Sequence, residues 1–182
     1  MINPLQDTIL KSVENPQNPP VKEWRCGMVL RYDTKLWKEN DLKAYRTAFT
    51  CNTLLLALLE SLPHKELSQG PRGIEANFVT KTEAIEAAIA LQSFLVERSI
   101  PASIVLYSEE GFLDEKGGWH CGGLYVAEKI AFYSPSYEIR LKSSFMTGFL
   151  PPQGTGVFHL KRTKQIYYED DLHVLKNYEL DL

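Results

Sequence analysis

The residues with the clearest chemical potential are a cysteine, a histidine and a short run of hydroxyl and carboxylate groups. Cys51 stands in "FTCNTLLLALLESL", preceded by Thr50, a potential helix cap, and followed by an apolar helical run. If the helix opens at Thr50, the thiol lies in its first turn. There the unpaired N–H groups and the positive end of the dipole favour a thiolate and can hold an oxyanion. If the helix opens near Leu42, Cys51 is a small apolar side chain in mid-helix. The residues permit both starts. His120, in "GGWHCGGLYVA", sits between Trp119 and glycines that let a substrate come close, as a general base requires. A cysteine followed along the chain by a histidine and then by a polar orienting group is the order that nucleophilic cysteine catalysis uses. Ser134, in "FYSPSYE", takes the third place, with Ser136 and Glu138 close by. The side-chain amide of Asn52 and the N–H groups of the helix start would then stabilise the oxyanion.

The other thiols offer less. Cys26 ends "EWRC" on an expected strand, with no helix terminus to activate it. Cys121 adjoins His120, but neighbours on a strand point to opposite faces and do not readily share a metal. No CxxC, HxxxH or HExxH occurs, so neither a metal nor a cofactor is expected. The basic run "HLKRTK" at 159–164 reads as a solvated strand face or turn.

These groups must be positioned by a recognisable set of elements. Three prolines in "NPQNPP" at 15–20 interrupt any helix over 3–13, so 1–22 reads as an N-terminal arm and 23–182 as one globular domain. "EWRCGMVLRY" is a first strand. A helix, or two, follows from Leu42 with Asp41 as a possible cap, and Pro63 stops it. "SQGPRG" reads as a loop and "IEANFVT" as a short strand. Thr82 caps a helix whose Ile85, Ile89, Leu91, Phe94 and Leu95 form an apolar stripe. "IPASIVLYS", "GWHCGGLYVA" and "KIAFYSP" read as strands, the last two joined by a tight "AEK" turn; "GFLPPQGTG" is a loop and "VFHLKRTKQIYY" a further strand or hairpin arm. Helices early and adjacent strands late predict an α+β domain, with helices packed on a mostly antiparallel sheet.

Composition narrows the classes. Lys plus Arg total 20 against 23 for Asp plus Glu, which gives no electrostatic case for nucleic-acid binding. The longest apolar run, "LLLALL", is far too short to span a membrane, and no basic segment leads into a signal-like stretch. Three cysteines cannot all pair, and they suggest a reducing, cytoplasmic setting, whether of the producing cell or of a host.

Taken together, "TCNTLLLALL", "SIVLYS", "GWHCGGLYVA" and "EKIAFYS" resemble, over about residues 48–138 and in order and strand context, the papain-like cysteine protease and deamidase superfamily in its compact bacterial effector form. The resemblance implies a papain-like topology, Cys51 as nucleophile, His120 as general base, and cleavage or deamidation of an amide in a protein substrate. It departs from the pattern at the orienting residue, where Ser134 stands in place of Asp, Asn or Gln. A second likeness is to ADP-ribosyltransferases: "NFVTKTEAIEAAIAL" for their strand and helix, an arginine of "WRCGMVLRY" for NAD, and Glu109 or Glu110 as the acid. There the expected Ser-Thr-Ser core is Val79, Thr80 and Lys81. A third class is a non-catalytic protein-binding module, an immunity or inhibitor protein or a complex subunit, for which nine tyrosines, eight phenylalanines and three tryptophans would furnish an interface.

Overall fold

In the computed structural model, which describes residues 20–33, 41–70, 72–148, 158–164 and 171–177, apolar residues alternate along the first strand, and this alternation explains the layering. That strand, β1 (Lys22–Tyr32), sends Cys26, Met28, Leu30 and Tyr32 to one face of the sheet and Val29 to the other. Two helices cover the first face: α1 (Asp41–Glu60), contributing Ala48, Cys51, Leu55 and Leu59, and α2 (Lys81–Glu97), contributing Ala84, Ile85, Ala88, Leu91 and Leu95. The second face carries a smaller cluster of Val29, Val105, Tyr107 and Trp119 under α3 (Gly122–Tyr133), which adds Ala127, Ile130 and Ala131.

The remaining elements are β2 (Glu66–Gly70), β3 (Gly73–Phe78), β4 (Ala102–Leu113), β5 (Trp119–His120), β6 (Ile139–Leu141), the short α4 (Ser143–Met146), β7 (Phe158–Lys164) and β8 (Asp171–Asn177). The strand order is β2-β3-β1-β4-β6-β8-β7, with β5 pairing the far end of β4. Every pairing is antiparallel except β4 with β6. That parallel pair is the one joined across α3, since a parallel neighbour needs a crossover and a hairpin cannot supply it. The domain is α+β, as its residues predict. Residues 1–19 of the expected arm, with the expected helix over 3–13, and all of "GFLPPQGTG" beyond Gly148 lie outside the described residues, while Lys22, at the expected end of the arm, already belongs to β1.

Four expectations about the elements are corrected. The expected loop "SQGPRG" is mostly strand: β2 and β3 form a hairpin in which Gly70 pairs with Gly73. The cap of α2 is Thr80, not Thr82, because Thr80 and Glu83 complete a reciprocal capping box. α1 runs unbroken from Asp41, so Thr50 opens nothing. Finally, "GGLYVAEKIAFY" is not two strands and a turn but the single helix α3. Gly123, Ala127, Ile130 and Ala131 are buried on one helical stripe, and the Ala, Glu and Lys of the supposed turn are good helix formers.

Two glycines permit close approach on the α3 face. Tyr107 lies directly opposite Gly27, and a Cβ on Gly27 would overlap its ring; a Cβ on Gly111 would overlap the indole of Trp119. The Trp119 indole N–H donates to the Glu23 carbonyl at 3.0 Å, and the two rings stack with centroids 6.3 Å apart. Gly27→Ala therefore forces the Tyr107 ring to move. We expect a loss of about 1–3 kcal/mol in urea denaturation, whereas Gly70→Ala, with open space around it, leaves the midpoint nearly unchanged.

Candidate functional site

Helix α3 covers the sheet above Val29 and Val105 and leaves β2 and β3 bare on that side. The uncovered part forms a cleft of about 230 Å³. Glu66 and Ser68 of β2, Glu75 and Asn77 of β3 and Tyr107 of β4 line it, with Gly118, Trp119, His120, Cys121 and Leu124 from β5 and the start of α3. Its polar residues come from strand alternation. Leu67, Ile74 and Ala76 go to the core under the helices, so Glu66, Ser68, Glu75 and Asn77 face the other way.

Buried or nearly buried cations hold the acidic residues in and beside the cleft. Arg25, 6% exposed, pairs with Glu66 at 2.8 Å and Glu23 at 2.9 Å, and its guanidinium lies 5.9 Å from the Trp119 ring centre. Arg31 pairs with Glu75 at 2.8 Å and also with Glu128, which ties α3 to the sheet. Lys142 pairs with Glu109 at 2.8 Å. At the rim, Asp114 Oδ2 meets His120 Nε2 at 2.9 Å, while the N–H groups of Gly118 and Lys116 each donate to Asp114 Oδ1 at 2.8 Å. The His120 bond, followed by these backbone donors, lowers the carboxyl of Asp114 to a pKa of about 2.

The residues singled out from sequence are dispersed. Cys51 is in the middle of α1, buried in the layer beneath the helices, and burial pushes its thiol up. His120 lines the cleft on the opposite side of the sheet. The Asn52 amide is committed within the protein: Nδ2 donates to the Gly70 carbonyl at 2.9 Å and Oδ1 accepts from the Tyr32 hydroxyl at 2.6 Å. Ser134 is the C-cap of α3 and donates to the Ile130 carbonyl at 2.7 Å. Ser136 donates to Asp33, and Glu138 pairs with Arg140. Cys26 is buried against Ser108. Glu110 pairs with Lys22.

No family model matches the sequence, and no curated protein matches it. Solved structures do. The guanylate cyclase domain of a rhodopsin-linked cyclase from Catenaria anguillulae, in complex with GTP, superposes with a TM-score of 0.65 at 10% identity, covering 86% of this chain and 98% of that one. The catalytic core of a rhodopsin-guanylyl cyclase with converted specificity, in complex with ATPαS, gives 0.67 at 11% identity, covering 86% and 98%. A non-canonical dimeric guanylyl cyclase domain of a fusion protein from the aquatic fungus Blastocladiella emersonii gives 0.56 at 10% identity, covering 87% and 98%. The fold is that of nucleotide cyclase catalytic domains.

This finding overturns the papain-like reading and, with it, cysteine-dependent amide hydrolysis; the ADP-ribosyltransferase and protein-binding alternatives have no counterpart among the cyclase-fold neighbours either. The same holds for a protein substrate. No described helix is long and apolar enough to cross a membrane. Sequence reasoning found His120 but missed its partner. Asp114, six residues earlier in "DEKGGWH", carries the signal of an Asx turn closed by glycines. It missed Glu66, Ser68, Glu75 and Asn77 as well, although their polar alternation in "ELSQG" and "GIEANF" marks one exposed strand face.

Two outcomes follow from this geometry. Burial raises the thiols of Cys26, Cys51 and Cys121, so at pH 7 iodoacetamide should label the native protein far more slowly than the urea-unfolded chain, by mass spectrometry, with no preference for Cys51. Asp114 is a depressed carboxylate, so its contribution is present above the ordinary value of 3.8 and is lost as pH falls toward about 2. The gap in urea midpoint between wild type and Asp114→Asn should accordingly be full at pH 6 and close across that acidic window.

Proposed function

We propose that this chain is a nucleotidyl-cyclase-type domain that takes a purine nucleoside triphosphate, holds the base in the cleft, and acts as a dimer. The observation that carries this reading is the extent of the likeness: the overlap spans nearly the whole length of cyclase domains, two of them crystallised with GTP or an ATP analogue, and one found both as a non-canonical dimer and as a monomer. The cleft suits the ring end of such a ligand. At about 230 Å³ it is below the roughly 300–1,000 Å³ of sites that enclose a whole drug-sized molecule. Glu66 and Glu75 in its lining disfavour a polyphosphate, whereas Tyr107 and Trp119 supply apolar surface.

In the reaction, the ribose 3′ oxygen bonds to the α-phosphorus while the bond from that phosphorus to the β-phosphate oxygen breaks. Pyrophosphate leaves and the hydroxyl proton passes to a base. Phosphoryl chemistry of this kind is ordinarily assisted by divalent cations, yet among the described residues no group of three His, Cys, Asp or Glu side chains could hold one. Such a cation is usually held by one or two carboxylates together with the substrate phosphates, and no step is assigned to it. Glu66 and Glu75 of the cleft are held in ion pairs with Arg25 and Arg31, which favours a second reading, a domain that binds the nucleotide without turning it over.

Incubating the protein with ATP or GTP and magnesium or manganese, with cyclic nucleotide and pyrophosphate quantified by mass spectrometry and binding measured by equilibrium dialysis, separates the two. Cyclic product in equal yield with pyrophosphate is the expected result. Saturable binding without product selects the second reading, and absence of both binding and product overturns each.

A further inference from the structure

Five side chains of the cleft can either donate or accept a hydrogen bond; Tyr107 and Cys121 bond to each other, and the other three each have a donating end fixed by a carboxylate. His120 Nε2 lies 2.9 Å from Asp114. Asn77 Nδ2 donates to Glu66 at 3.2 Å, and the Ser68 hydroxyl donates to Glu75 at 3.4 Å. An ionised carboxylate only accepts, so these contacts settle the amide orientation and the hydroxyl direction and, in the neutral ring, the histidine tautomer. The carboxylates are themselves anchored, Glu66 by Arg25, Glu75 by Arg31 and Asp114 by two backbone N–H groups. What remains for a ligand is Asn77 Oδ1, the Ser68 oxygen and, in the neutral ring, His120 Nδ1. These are acceptors, and none has another donor among the described residues.

We propose that the cleft selects guanine over adenine, an inference that rests on the nucleotide reading above. Guanine offers two adjacent donors, the ring N1–H and the 2-amino group, to such a lining. Adenine offers its 6-amino group beside a ring nitrogen that is itself an acceptor and would face other acceptors unpaired. A site built to pair with N–H groups discriminates strongly against an analogue that lacks them, because its own polar atoms are left without partners.

The test is competition of GTP, ITP and ATP against a fluorescent methylanthraniloyl-GTP probe at pH 8. It uses wild type, His120→Phe and Asn77→Leu, each checked for a native melting transition. Wild type should bind GTP at least about tenfold more tightly than ATP at pH 8, equivalent to about 1.4 kcal/mol, with ITP, which keeps N1–H and lacks the 2-amino group, in between. The GTP advantage should fall in both variants. Equal affinity of wild type for GTP and ATP, or a ratio unmoved in both variants, overturns the selection while leaving nucleotide binding intact. Failure of the probe and of all three nucleotides to bind overturns the nucleotide reading and this inference together.

Discussion

Every other feature of the domain is built around the antiparallel pairing of β1 with β4, which runs without a break from Lys22 opposite Phe112 to Tyr32 opposite Ala102. The pairing sets register, and register decides which residues meet on each face. A slip of one position would turn Met28 and Leu30 away from the helices and Arg25 and Arg31 into the apolar layer, which the cost of burying unpaired charge forbids. In the native register Gly27 comes opposite Tyr107 and Arg25 opposite Glu109. The tyrosine ring can then lie on the sheet, and both arginines emerge on the side where Glu66 and Glu75 await them.

The two faces are used differently. Under α1 and α2 the packing is almost wholly apolar, with Met28, Leu30, Phe78, Leu91 and Leu106 excluded from water. The opposite face is only partly covered, because α3 is short and packs small residues, Gly123, Ala127 and Ala131, against the strands. Its uncovered half must end in polar groups, and these are organised by buried cations rather than left to solvent. A buried arginine is tolerable where carboxylates pair with it, and each paired carboxylate in turn orients a neutral neighbour. Charge compensation in the interior thereby reaches the lining of the cleft as a fixed pattern of hydrogen-bond acceptors.

Local patterns were legible wherever one residue's preference decided the outcome. Pro63 marks the end of α1, the alternation in "CGMVLRY" marks β1, and the Ala- and Glu-rich "EAIEAAIAL" marks α2. They misled where β-branched and aromatic residues lie on a helix. Tyr125, Val126, Ile130, Phe132 and Tyr133 favour strand individually, and their helical stripe is recognisable only with the buried positions in view. The cysteine reading failed for a related reason. Cys51 and His120 follow one another in a suggestive chain order, but chain order carries no information about which face of a sheet a residue occupies.

By itself the sequence determined the α+β class, the strand-forming and helix-forming segments at either end of the core, and the chemical interest of His120, because each depends on neighbours within a few residues. The tertiary structure alone decided that Asp114 holds His120, that Glu66 and Glu75 meet Arg25 and Arg31, and that the cleft opens where α3 stops. Those contacts join residues from 6 to 44 positions apart, and the partner of a charge at such separations is set by strand order and register, which no local propensity encodes.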